Sequence, residues 1–142
     1  MKNHFWLDSS AVLAWYRAEE GSDEVVRILT AATEEKAVVS MSQISLLEIA
    51  KAVANERDEN AARQNLRLLS ELPVSIISAP DEQWLSAGLL RSRVNLSTAD
   101  AIIATQAIAA GATLVHKDPE FDDVPVLQHR RLPYKTSSPR KR

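Results

Sequence analysis

Short apolar runs alternate along this chain with longer segments in which apolar residues recur every three or four positions. "HFWLD" (4–8), "AVVSM" (37–41), "VSII" (74–77), "ATLVH" (112–116) and "VPVLQ" (124–128) have the length and composition of strands. Six stretches between them carry helical periodicity: Ser10 to Glu19, Ser22 to Lys36, Ile44 to Asn55, Asn60 to Leu72, Asp81 to Arg93 and Thr98 to Ala110. Stop and start signals agree with these bounds. Gly21 closes the first, Asp23 and Glu24 open the second where the helix dipole favours acids, Pro80 precedes the fifth and Gly111 ends the sixth. Strands separated by helices pair in parallel through right-handed crossovers. The expected fold is therefore α/β: a three-layer α/β/α sandwich around a central, mainly parallel sheet of four to five strands.

Composition narrows this picture without redirecting it. A length of 142 residues, 45% apolar and 25% charged, fits one globular domain. No apolar run reaches the eighteen or so residues of a membrane helix, and "MKNHFWLD" lacks the apolar core of a secretory signal. A cytoplasmic protein with no membrane partner is expected. The absence of cysteine excludes disulfides, thiolate metal sites and thiol nucleophiles, so any metal must be held by oxygen or by His4, His116 and His129. Charge is unevenly spread. Residues 1–128 hold all 19 acids against 11 bases, a net of −8, whereas "HRRLPYKTSSPRKR" has six bases and no acid. A domain over 1–128 followed by a basic, flexible tail over 129–142 is expected, the tail being either an interaction arm or a solvated end.

In open parallel sheets the working groups gather at the carboxyl ends of the strands, where strand order reverses. Asp8 closes the first strand and Asp118 follows the fourth, while Asp100 lies in the first turn of the last helix and Glu48 in the apolar "ISLLEIAKAV". Each has a local explanation. Asp8 can cap a helix, Glu48 can pair with Lys51, Asp100 completes a capping box begun by Ser97, and Asp118 can begin an Asp-Pro turn. Asp100 nevertheless shares a face with Ile103, Ala104 and Ala107, which points it inward. Carboxylates about 4 Å apart repel by roughly 4 kcal/mol per pair at an effective dielectric near 20. Protons or a cation must neutralise such a group, and an all-oxygen set suits Mg²⁺ or Mn²⁺, the usual ions of phosphodiester hydrolysis.

With its acids in this order, the chain resembles the PIN-domain ribonucleases, and most closely the VapC-type toxins of toxin–antitoxin pairs. The resemblance spans about residues 5–128 and rests on "LDSSAVLAW", "ISLLEIAKA" and "LSTADAIIATQAIAAGATLVHKDPEF". It implies that Asp8, Glu48, Asp100 and Asp118 form a metal-binding acidic quartet: the three aspartates hold the principal ion, and Glu48 binds a second ion or orients the attacking water. RNA hydrolysis leaving a 5′-phosphate and a 3′-hydroxyl, a homodimer and a cognate VapB-like antitoxin are implied as well. Ser10 and Thr98 match hydroxyl positions near the first and third acids, and Asp122 is a further loop acid. Leu47 and His116 depart from the pattern, His116 standing where relatives carry a small hydroxyl; it is either a supplementary ligand or proton carrier, or a structural strand-end residue.

Arg91 and Arg93 are candidate RNA contacts or last-turn bases of their helix, and the tail's bases could add phosphate contacts. Trp6, Trp15, Trp84 and Tyr16 are too scattered for a base-stacking platform and read as core, with a partner groove on the first helix as the alternative for Trp15 and Tyr16. Two other enzyme classes fit less well. An aspartate-nucleophile phosphatase would carry a second Asp where Ser10 stands, and a phosphoacceptor receiver an acidic pair after its first strand. The remaining rival is a PIN domain that binds RNA or protein without cutting, against which the full quartet argues.

Overall fold

Alternation across the strands separates two cores and so makes the layers. The structure, a computed structural model, describes residues 2–134. Strand β1 (Asn3–Leu7) sends Phe5 and Leu7 into one core and Trp6 into the other. Strand β4 (Thr113–His116) divides Val115 from Leu114 in the same way. The Leu7 side is covered by α1 (Ser9–Tyr16), α2 (Ser22–Thr33), α3 (Ile44–Glu56) and α4 (Glu59–Ser70), and the Trp6 side mainly by α5 (Asp81–Arg91) and α6 (Thr98–Ala109). Together with β2 (Ala37–Ser42), β3 (Ser75–Ile77) and β5 (His129–Arg131) this is the expected three-layer sandwich, with a five-stranded sheet that is parallel throughout.

Strand order is β3-β2-β1-β4-β5. The order runs outward from β1 one way through β2 and the other way through β4, so the crevice of the reversal lies at the carboxyl ends of β1 and β4. Their closeness persists past the strand ends, where the Asp8 amide donates to the Val115 carbonyl at 3.0 Å. α6 lies against this region with Ala101, Ile102, Ile103, Ala104 and Ala107 all buried, its alanines allowing the helix to approach the sheet closely.

One expected strand is misplaced. "VPVLQ" is not the fifth strand, because Pro125 has no amide for a ladder and Val126 takes φ 55 in a turn. The fifth strand is His129–Arg131, in register with Leu114 to His116. All three of its residues are exposed, so no hydrophobic alternation marks it. The sheet thus runs past residue 128, into the segment expected to be tail. Leu132 is buried, and its amide donates to the His116 carbonyl at 2.8 Å; residues 135–142 of that segment lie outside the described residues. Trp84, expected in the core, is half exposed on α5.

Gly21 meets this C-terminal segment. It precedes α2 at φ 98, and a Cβ there would stand 3.0 Å from Leu132 Cβ. Gly21→Ala should therefore cost about 1–3 kcal/mol, seen as a lower urea midpoint with an unchanged slope.

Candidate active site

Asp8 stands one residue beyond β1 and is almost wholly buried. It caps α1: its Oδ2 accepts the Ser10 amide at 3.0 Å and also the Ser10 hydroxyl. The Ser10 oxygen in turn accepts the Lys117 amide at 2.8 Å, so this hydroxyl joins the ends of β1 and β4. The other oxygen, Oδ1, is buried without a hydrogen-bond partner. Glu48, on α3, accepts from the Ser9 hydroxyl at 2.6 Å rather than pairing with Lys51. Adjacent serines at the start of α1 therefore hold two of the acids.

Asp100 is buried in the first turn of α6. Ser97 caps that helix as expected, its Oγ accepting the Asp100 amide at 3.1 Å. The reciprocal arm of the box comes from elsewhere. The Ser97 amide donates to Glu120 Oε1 at 3.4 Å, which releases the Asp100 side chain to turn inward. Asp118 caps the short 3₁₀ helix Pro119–Asp123, its Oδ1 accepting the Glu120 amide at 2.9 Å. Carboxylate oxygens of Asp100, Asp118 and Glu120 lie within 4.8 Å of one another. Glu120 is the acid that sequence reading passed over. No local pattern marks it, because its side chain is placed by the Ser97 amide, 23 residues earlier.

The remaining candidates divide. His116 is fully buried, its Nδ1 accepting the Asp118 amide at 3.1 Å and its Nε2 lying 2.8 Å from His129 Nδ1. Burial, and next the neighbouring His129, push its pKa down to about 4, so the ring is neutral at pH 7. Asp122 accepts from the Tyr134 hydroxyl at 2.9 Å and from Arg131, and its carboxylate groups with His116 and His129 rather than with Asp100 and Asp118. Thr98 is exposed and accepts from Arg91, whose Nε donates to the Leu96 carbonyl at 2.8 Å. Arg91 is therefore the brace of the loop entering α6. Arg93 lies free of that brace and lines an open cavity of about 530 Å³ with Asn95, Glu120 and Asp123.

Electrostatics show a cluster in need of positive charge. Among the described residues no ion pair reaches Asp8, Glu48, Asp100, Asp118 or Glu120. The nearby Lys117 ammonium is spent on the Glu20 carbonyl and Glu19. Burial raises Asp8 to about 6 against the opposing bonds from Ser10, with Glu48 and Asp118 adding repulsion. Asp100 is raised further, by burial first, then by the charge of Asp8 and by a proton shared with Asp118 and Glu120. A buried unpaired oxygen in an all-carboxylate set is what a hard divalent cation fits.

Three kinds of comparison bear on this arrangement. The PIN domain family model matches residues 5–127. Ribonuclease VapC11 of Mycobacterium tuberculosis is 30% identical over 121 residues, covering 82% of this chain and 87% of that protein. The fold is shared with VapBC2 of Rickettsia felis bound to a promoter DNA fragment, at TM-score 0.74 and 20% identity over 92% of this chain and 99% of that one. It is also shared with VapC20 of Mycobacterium tuberculosis, a toxin that cleaves the sarcin-ricin loop, at TM-score 0.69 and 15% identity over 85% and 95%.

The raised carboxyls fix a pH dependence. In the folded protein Asp8 and Asp100 hold protons that the unfolded chain releases near pH 4, so their favourable contribution is complete below that and is lost upward, through about 6 for Asp8 and higher for Asp100. Without divalent ions the melting temperature should fall from about pH 5 to about pH 8, and Asp100→Asn should flatten the fall. Added Mg²⁺ should restore stability at the upper end for the parent protein only. A pH-independent melt in the parent protein would show that the acids carry no such stress.

Proposed function

This chain belongs to the PIN domain family, and from that premise we propose that it is a metal-dependent endoribonuclease, the toxin of a VapC-type toxin–antitoxin pair. The observation that carries the reading is the Asp8 oxygen, buried and unpaired beside acids that form no ion pair among the described residues. Asp8, Asp100 and Asp118 are the residues to hold Mg²⁺ or Mn²⁺, with Glu120 added to the set. When bound, such an ion lowers the pKa of water and screens charge developing on a phosphate. Glu48, fixed through one oxygen by Ser9, is suited to orient the attacking water with the other. Ser10 holds Asp8 and the β4 end together and so keeps the aspartates in register.

RNA is the substrate this reading requires, and Arg93, which lines the cavity beside Glu120, is a cation placed to meet its backbone. Arg91 contributes indirectly, by bracing the entry to α6. A VapB-type partner is named with the toxin in the Rickettsia felis complex, and a VapB-like antitoxin and a cytoplasmic setting belong to the same reading of this chain; no helix among the described residues is long and apolar enough to cross a membrane. We assign the homodimer contact to the face bearing Leu47 (67% exposed), Ile77 and Trp84, which line one shallow cavity, together with Leu85 (65% exposed) and Leu89 one turn apart on α5.

Two experiments test these statements. Asp100→Asn should reduce Mn²⁺-dependent cleavage of single-stranded RNA to the metal-free background while melting no lower than the parent protein at pH 8, and an active variant removes Asp100 from the site. Leu85→Glu combined with Trp84→Glu should halve the mass measured by light scattering. An unchanged dimer would move the contact to another face.

A further inference from the structure

We propose that His116 is a positioning residue for the acidic site: its Nδ1 accepts the main-chain N–H of Asp118 and so sets where that acid leaves β4, while His129 holds the ring in the tautomer this requires. A backbone N–H can only donate. The nitrogen facing it at 3.1 Å must therefore carry a lone pair, which places the proton of the neutral ring on Nε2. That N–H points at His129 Nδ1, 2.8 Å away, which must accept. One amide thus fixes the hydrogen-bonding roles of two imidazoles in series.

Packing encloses the ring on two sides. It is fully buried, with the Phe121 ring tilted against it at 4.9 Å between centroids and the His129 ring nearly parallel at 5.1 Å. The His116 carbonyl accepts from Leu132, so the residue is held from β5 through both main chain and side chain. Downstream, Asp118 Oδ1 accepts the Glu120 amide and Glu120 accepts the Ser97 amide. The His116 contact therefore stands at the head of a series that places Asp118 and Glu120 beside Asp100. The same bonding excludes a rival use. His116, Asp122 and His129 present nitrogen and oxygen atoms within 4.8 Å, as a second metal centre would, but both His116 nitrogens are occupied, one by a donor and one by its own proton.

The inference rests on the metal reading above only for its consequence, and the experiment separates the two. His116→Asn can place an oxygen where Nδ1 stands, whereas His116→Gln reaches only the place of Nε2. Three measurements on the full chain decide the matter: the ¹⁵N spectrum of the parent imidazoles, hydrogen exchange at the Asp118 amide, and Mn²⁺ affinity without RNA. A bare Nδ1 and a protonated Nε2 are expected for His116. In His116→Gln the Asp118 amide should exchange at least about tenfold faster and Mn²⁺ should bind about tenfold more weakly, while His116→Asn stays within about threefold of the parent in both. A parent ring protonated on Nδ1, or two variants that behave alike, would overturn the assignment. If the parent protein binds no Mn²⁺, the metal reading falls, and the spectrum and the amide exchange still decide the role of His116.

Discussion

Asp8 is sunk at the end of β1 with one oxygen bound to Ser10 and the other unpaired, a state that costs on the order of several kcal/mol for a charged carboxylate unless a proton or cation joins it. The parallel sheet makes the burial unavoidable. β1 is the central strand, flanked by β2 and β4, so a residue just past its end is covered by the loops that follow its neighbours and by α6. The reversal of strand order then brings Asp118 from the adjacent β4 to the same rim. Like charges converge there because of topology, and the protein accepts raised carboxyl pKa values instead of supplying an internal cation. Folding alone would favour an asparagine at position 100. A cation brought from outside would relieve that stress.

Much of this was legible in the sequence. The six helices lie within about three residues of their expected ends, since caps and periodicity agree locally, and four of five strands were marked by apolar runs closed with polar residues. The quartet was legible because strand ends and the helix start are local features, and the parallel topology adds their convergence. What escaped reading was decided by contacts distant in sequence. β5 is a polar edge strand, recruited by the open side of β4, and nothing in "HRR" announces it. Arg91 reads as an RNA contact or as a last-turn base, and neither reading contains the Leu96 carbonyl to which its Nε donates. Glu120 acquires its role from Ser97, 23 residues earlier, and no pattern within "DPEF" contains that partner.

Local explanations of the acids and functional ones are not in competition here, because a carboxylate has two oxygens. Asp8 gives Oδ2 to Ser10, Glu48 gives Oε1 to Ser9, Asp118 gives Oδ1 to the Glu120 amide and Glu120 gives Oε1 to the Ser97 amide. Each cap or turn fixes one oxygen and thereby fixes where the other lies. Asp100 is the exception that the arrangement requires. Glu120 has taken over the arm that a capping-box acid would supply, so the Asp100 side chain, free of local duty and raised further than Asp8, belongs to the cluster entirely. A cluster assembled from caps needs no loop of its own: the same hydrogen bonds that start α1, α6 and the 3₁₀ helix also aim the carboxylates. Loosening any one of them would then cost local stability and site geometry together.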